Sequence, residues 1–406
     1  MTAAVTKAET TGAPRTTRRL GLVLAAAGVC TVAFGGLAPA AAAQDVRSQQ
    51  WYLGAMQLEK VWKVSTGKGM EIAVIDDGVN TSTSSLRGQV VSEGAADSSS
   101  SADFRDGHGT TMAELIAGTG RGGGIRGVAP DAKIVPIRTA LLKDKNSKKA
   151  PSLDKAIRLA ADSDAKIISM SLGGEFYSSR VEAAVKYAAA KGKLMFAATG
   201  NDGAGKNRLE YPANYQEVVG IGATDEAGTV TKFSGSGIDV DLVAPGEDLP
   251  SWCDATFRRY CEGGKGTSHA TAIASGSAAL IWSKHPDWTA NQVLRVLIDT
   301  AGRASKSDKP SKYIGYGGIR PRINLVDGEG NPGDPGVNPL TGDKTGPAKS
   351  ASPSSGSTEN DAAGKVSVAD SSGTDDNSQL WTMLGVGAAV VVLGGGAFAI
   401  RRARRG

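Results

Sequence analysis

From Glu71 onward, short and continuously apolar runs alternate with longer amphipathic stretches. The runs Glu71–Ile75, Lys133–Arg138, Ile167–Ser171, Leu194–Thr199, Val218–Ala223 and Val240–Ala244 are rich in β-branched residues. They lack the polar alternation of a half-exposed sheet, which predicts strands buried on both faces. Between them, Ser152–Ala161 and Ser179–Lys191 have helical spacing, the second with Ser179 and Glu182 placed as a capping box and Gly192 as its stop. A long apolar helix is predicted from Thr267 to Lys284, ended by Pro286, and another after Thr289, which Gln292 caps in the same way. Strands alternating with helices predict an α/β fold with a parallel sheet, and such sheets carry their sites at the carboxyl ends of the strands.

Both ends of the chain depart from this pattern. Basic residues Lys7, Arg15, Arg18 and Arg19 precede an apolar run from Leu20 to about Leu37 and then Ala41-Ala42-Ala43, the layout of a cleavable signal peptide over residues 1–43. The Arg18-Arg19 pair is also compatible with twin-arginine export. Residues 44–70 read as a short N-terminal extension and 71–327 as one catalytic-sized domain. Residues 328–378 are rich in Gly, Pro, Ser, Asp and Thr and predict a flexible stalk, because they bury too little apolar surface to offset ordering. Residues 379–400 are uncharged and apolar over about the 20 residues a membrane-crossing helix needs. Arg401, Arg402, Arg404 and Arg405 follow in a basic tail, 401–406. The positive-inside rule puts that tail in the cytoplasm and the preceding domain outside the cell membrane.

Charge adds little once the ends are set aside. The formal net charge is +5, but residues 1–43 carry +3 and the tail +4, leaving about −2 for residues 44–400. A nucleic-acid partner loses its main support. Cys30 falls in the predicted signal peptide, so Cys253 and Cys261 remain, eight residues apart in an oxidising compartment, and are expected to pair. Two cysteines without a nearby ligand cluster fall short of a zinc set, so no metal is assigned.

Three segments carry groups suited to acyl transfer by serine, which needs a base, a carboxylate to orient it and donors for the oxyanion. Ile72-Ala73-Val74-Ile75-Asp76-Asp77-Gly78 ends an apolar strand in a carboxylate; Asp106-Gly107-His108-Gly109-Thr110 opens a helix; Gly266-Thr267-Ser268-His269-Ala270 places a serine at the start of the longest helix. In motif, in Asp, His, Ser order and in approximate spacing these segments resemble the subtilisin-like serine proteases, over roughly Trp51 to Asp327. The resemblance implies a subtilisin-like parallel sheet flanked by helices, with Asp76, His108 and Ser268 as catalytic triad. It also implies a substrate-binding edge at Ser171-Leu172-Gly173-Gly174 and an oxyanion donor at Asn201, within Ala197-Ala198-Thr199-Gly200-Asn201-Asp202-Gly203.

Within that family the chain is most similar to the mycosins, membrane-anchored proteases associated with type VII secretion. The likeness rests on the signal peptide, Gln50-Trp51, Ser65-Thr66-Gly67-Lys68-Gly69, Gly127-Val128-Ala129-Pro130, the cysteine pair, the stalk and the terminal span. It implies an extracytoplasmic endopeptidase acting on proteins or peptides beside the secretion machinery; the alternative is a mainly structural component of a secretion complex. The chain departs from the family at Ala272, where proline is usual, at Asp77, where Ser or Thr is commoner, and at His269. By resemblance Asp77 lies near the subsite for the second residue before the scissile bond, Asp202 at the rim of the main pocket and Glu210 near its base. Together they imply a preference for Lys or Arg. No cofactor is assigned, and structural calcium is left open.

Overall fold

Consecutive side chains on the central strands enter two different cores, which is why those strands read as unbroken apolar runs. On strand β1 (Glu71–Asp76), Ile72 and Val74 join one cluster while Ala73 and Ile75 join another. The computed structural model describes residues 46–91, 107–139, 150–303 and 309–344. Before β1 come two short helices, α1 (Trp51–Ala55) and α2 (Leu58–Val61). After it follow α3 (His108–Ala117), β2 (Lys133–Arg138), α4 (Leu153–Asp162), β3 (Ile167–Met170), α5 (Ser179–Ala190), β4 (Leu194–Ala198), β5 (Val218–Thr224) and β6 (Leu242–Pro245). The order closes with β7 (Leu249–Trp252), β8 (Tyr260–Gly264), α6 (Thr267–Lys284), α7 (Ala290–Asp299) and α8 (Pro321–Leu325).

Six strands form one parallel sheet in the order β2-β1-β3-β4-β5-β6. The chain leaves β1 to one side for β2 and returns to its other side for β3. That reversal opens a crevice at the carboxyl ends of β1 and β3. Helices α4 and α5 cover one face of the sheet, contributing Ala156, Ile157, Ala184 and Val185 to its core. Helices α3 and α6 cover the other. Helix α6 is buried from Thr267 to Trp282, and its small residues admit close neighbours. A Cβ on Gly276 would come within 2.8 Å of Val128 Cβ. The hydroxyls of Thr271, Ser275 and Ser277 each donate to the carbonyl four residues earlier, so a polar sequence is satisfied inside the core.

Four features differ from the sequence expectation. The α5 capping box at Ser179 and Glu182 does not form; Ser178 caps the helix through Val181 N–H, and Glu182 instead meets Tyr177 and Lys186 on the surface. Residues 46–70 are not an appendage, since Tyr52, Leu58 and Val61 are fully buried in the main core. Gln50 exchanges two hydrogen bonds with the Arg126 backbone, and the Trp51 indole donates to Glu247 O at 3.0 Å. Residues 328–344, read from composition as the start of a stalk, lie along α7: Thr289 Oγ1 and Asn291 Nδ2 donate to Pro335 O, and Leu340 packs on the core. The antiparallel β7–β8 hairpin was not expected at all. The signal peptide, the rest of the stalk and the terminal span fall outside the described residues, among which no helix is long and apolar enough to cross a membrane.

Candidate active site

Asp76 is the last residue of β1, at the mouth of the crevice, and only 2% of its surface is exposed. Its Oδ1 accepts hydrogen bonds from His108 Nδ1 and from the Asp77 backbone N–H, each at 2.8 Å. With Nδ1 donating to a carboxylate, His108 keeps Nε2 as its basic nitrogen. The helix that carries His108 starts at Gly107, whose left-handed backbone (φ 74) suits glycine. Two residues further, a Cβ on Gly109 would sit 2.9 Å from Asp76 Cβ and collide with the Gly78 carbonyl. Glycine there allows α3 to approach the end of β1.

Ser268 is the second residue of α6, where backbone N–H groups and the helix dipole favour developing negative charge. Its hydroxyl donates to Ser171 O at 3.1 Å, and Ser171 Oγ donates back to Ser268 O at 2.9 Å, tying the exit of β3 to the start of α6. Asn201 follows β4. Its Oδ1 accepts from Thr267 N–H at 2.8 Å and from Thr267 Oγ1 at 3.2 Å. With Oδ1 held in this way, Nδ2 is the donor available to a substrate. Helix α3, which opens with His108, packs against helix α6, which carries Ser268 in its first turn.

An open cleft of about 350 Å³ begins at Ser268 and is lined by Ser171, Leu172, Gly173, Asn201, Asp202 and Glu210 among others. The Glu210 carboxylate is seated between Gly173 and Gly200; a Cβ on Gly173 would collide with Oε2, and one on Gly200 would lie 2.6 Å from Oε1. Burial raises the Glu210 carboxyl above its ordinary value, and the nearby charges of Asp239 and Asp202 add to the effect. The Tyr211–Pro212 bond that follows is cis. Asp77 is placed differently from the other two expected acids. It is buried beside Asp76, its Oδ1 accepts the Gly109 N–H at 2.8 Å, and it is absent from the cleft lining. Burial and the Asp76 charge push it up to about 6.

The unexpected hairpin braces the site from behind. Ser251 on β7 meets His269 Nε2 at 2.8 Å, and Trp252 N–H donates to Thr111 Oγ1 on α3 at 3.1 Å. Tyr260 on β8 stacks on Trp252 with ring centroids 3.8 Å apart. The sulfurs of Cys253 and Cys261 stand at bonding distance across the hairpin, with Cα atoms 5.0 Å apart. Burial drives the His269 imidazole down to about 3, so it stays neutral beside the serine and supplies hydrogen bonds, not charge. Its place one residue after Ser268 was the available sequence signal. Among the described residues, no group of three or more His, Cys, Asp or Glu is placed to hold a metal ion.

The profile of the subtilase family, peptidase S8, matches residues 67–317, a stretch that contains Asp76, His108, Asn201 and Ser268. The chain belongs to the subtilase family. Thermitase of Thermoactinomyces vulgaris is 34% identical over 261 residues, covering 64% of this chain and 90% of thermitase. The minor extracellular protease Epr of Bacillus subtilis is 34% identical over 289 residues, but this chain spans only 42% of Epr's length. Among solved structures, the MycP3 protease from the type VII (ESX-3) secretion system shares 30% identity and a TM-score of 0.56, over 68% of this chain and 88% of that one. MycP1 from Mycobacterium smegmatis gives 27% and 0.57, over 70% and 86%. This subtilase is thus a subtilisin-like serine peptidase whose structural neighbours include mycosins, and its parallel sheet flanked by helices is the family's fold.

Proposed function

We propose that this subtilase is an endopeptidase that cleaves proteins or peptides outside the cell membrane through an acyl-enzyme. The 2.8 Å contact between Asp76 and His108 carries the reading, because it fixes the tautomer a serine nucleophile needs. In the first step Ser268 Oγ turns from the Ser171 carbonyl, attacks the substrate carbonyl carbon and yields its proton to His108 Nε2. Asp76 stabilises the imidazolium, while Asn201 Nδ2 and the Ser268 N–H hold the oxyanion. His108 then protonates the leaving amine and the amine departs. Water, deprotonated by His108, attacks the acyl carbon, and His108 returns that proton to Ser268 Oγ as the acyl bond breaks.

The setting is part of the proposal. Residues 1–43 direct export, residues 379–400 anchor the chain with its tail in the cytoplasm, and Cys253 and Cys261 are joined in the oxidising space outside. Likeness to the MycP proteases supports work beside a type VII secretion system. Hydrolysis of a peptide library by the purified chain, with and without Ser268→Ala, tests the chemistry. Turnover abolished by the substitution is expected, and turnover unchanged by it would reject the triad.

A further inference from the structure

We propose that Glu210 makes the cleft select a lysine or arginine side chain in the residue whose carbonyl Ser268 attacks; the inference rests on the protease reading above. Glu210 and Ser268 line the same cleft, so a side chain adjacent to the attacked carbonyl has a carboxylate ahead of it. The carboxylate is held in place by shape. The two backbones flanking it, at Gly173 and Gly200, lack the Cβ atoms that would evict it.

The cleft offers cationic side chains both of the surfaces they need. Leu172 and Ala198 give its wall apolar area for the methylene stem, and none of its lining residues is basic. Charge around Glu210 is acidic, from Asp239 behind and Asp202 in the lining, and Arg208 two residues away is paired with Glu175. Among the described residues only acidic charges act on this half-buried carboxylate, and a guanidinium or ammonium relieves it with charge-assisted hydrogen bonds. A carboxylate in a primary specificity pocket selects basic side chains for this reason. Asp77 plays no part in it, since its carboxylate faces the Gly109 backbone.

The test reads binding, not turnover. Peptides identical except for arginine, lysine or citrulline at the residue before the scissile bond are titrated into the Ser268→Ala chain. Citrulline keeps the shape of arginine without its charge. Arginine and lysine peptides are expected to bind at least about tenfold more tightly than the citrulline peptide, and the added substitution Glu210→Gln to remove that margin. Equal affinities, no binding by any peptide, or a margin that survives Glu210→Gln would each overturn the proposal. A failure of hydrolysis in the unsubstituted chain would strike the protease reading instead, because this measurement does not need the nucleophile.

Discussion

Tyr260 Oη donates a 2.8 Å hydrogen bond to Glu114 Oε2, a carboxylate buried on the same helix that presents His108. Thr83 Oγ1 satisfies the other oxygen at 2.7 Å. Tyr260 belongs to β8, and its partner strand β7 reaches His269 beside Ser268 through Ser251. One hairpin therefore touches both helices that carry the reacting groups. Groups held from two sides by packed, hydrogen-bonded neighbours keep their relative position better than groups on loops.

Glu114 gives the fold a pH dependence of definite sign. Burial raises its carboxyl from 4.5 to about 8, with the bonds from Thr83 and Tyr260 opposing the rise. The folded value exceeds the unfolded one, so the stabilisation is fully present below 4.5 and is lost as pH rises toward about 8. The slope for one group reaches at most about 1.4 kcal/mol per pH unit. Glu114→Gln keeps the shape and removes the titration, with one end still accepting and the other now donating to a hydroxyl oxygen. Its thermal midpoint should vary less than that of the unsubstituted chain across this window, and parallel curves in a pH series of melts would rule out the assignment.

The cysteine pair closes the hairpin that spans the two helices. Closing a loop of this length is worth roughly 2–3 kcal/mol by the chain-entropy argument. The double substitution Cys253→Ser and Cys261→Ser should lower stability by about that amount in denaturant titrations. It should also lower kcat more than it raises KM, because the hairpin meets the helices and not the cleft. Loss confined to KM would mean that the hairpin acts on substrate directly.

Much of this architecture was legible because buried parallel strands leave an unmistakable pattern: all six sheet strands fell within about two residues of their expected bounds. Asp76, His108 and Ser268 stood out as candidates because each lies at or next to the end of an element and within two residues of a glycine, and Gly109 shows close packing to be a reason for such a glycine. The β7–β8 hairpin escaped because Leu249–Trp252 and Tyr260–Gly264 are short, contain Pro and Gly, and gain their order from His269 and from Glu114 and Thr111, the last two distant in sequence. The hydrogen bond that Asp77 makes was hidden for a related reason. Nothing local distinguishes a carboxylate aimed at a cleft from one that accepts the N–H of Gly109, 32 residues away.

The N-terminal segment makes a prediction about folding. Tyr52 is fully buried, and its hydroxyl donates to Arg126 O at 2.9 Å. Tyr52→Ala removes an aromatic ring from the core and should cost roughly 3–5 kcal/mol. Tyr52→Phe keeps the ring, and Gln50 still donates to the same carbonyl, so its cost should be about 1 kcal/mol. Chemical denaturation of both variants gives the comparison; two small and equal losses would mean that residues 46–70 are dispensable to the core.

Asn201 has two separable jobs, and substitution can tell them apart. Its Oδ1 caps the Thr267 N–H at the start of α6, whereas Nδ2 is the donor assigned to the oxyanion. Asn201→Ala removes both, and loss of an oxyanion donor costs about 100- to 1,000-fold in kcat. Asn201→Asp restores the acceptor for Thr267 but supplies no donor and brings negative charge to the place where the oxyanion forms. If the cap were the whole contribution, aspartate would recover most of the rate. Stabilisation of the transition state demands the reverse: kcat for Asn201→Asp at or below that of Asn201→Ala, with KM little changed in either, because a donor that acts only on the oxyanion leaves ground-state binding alone.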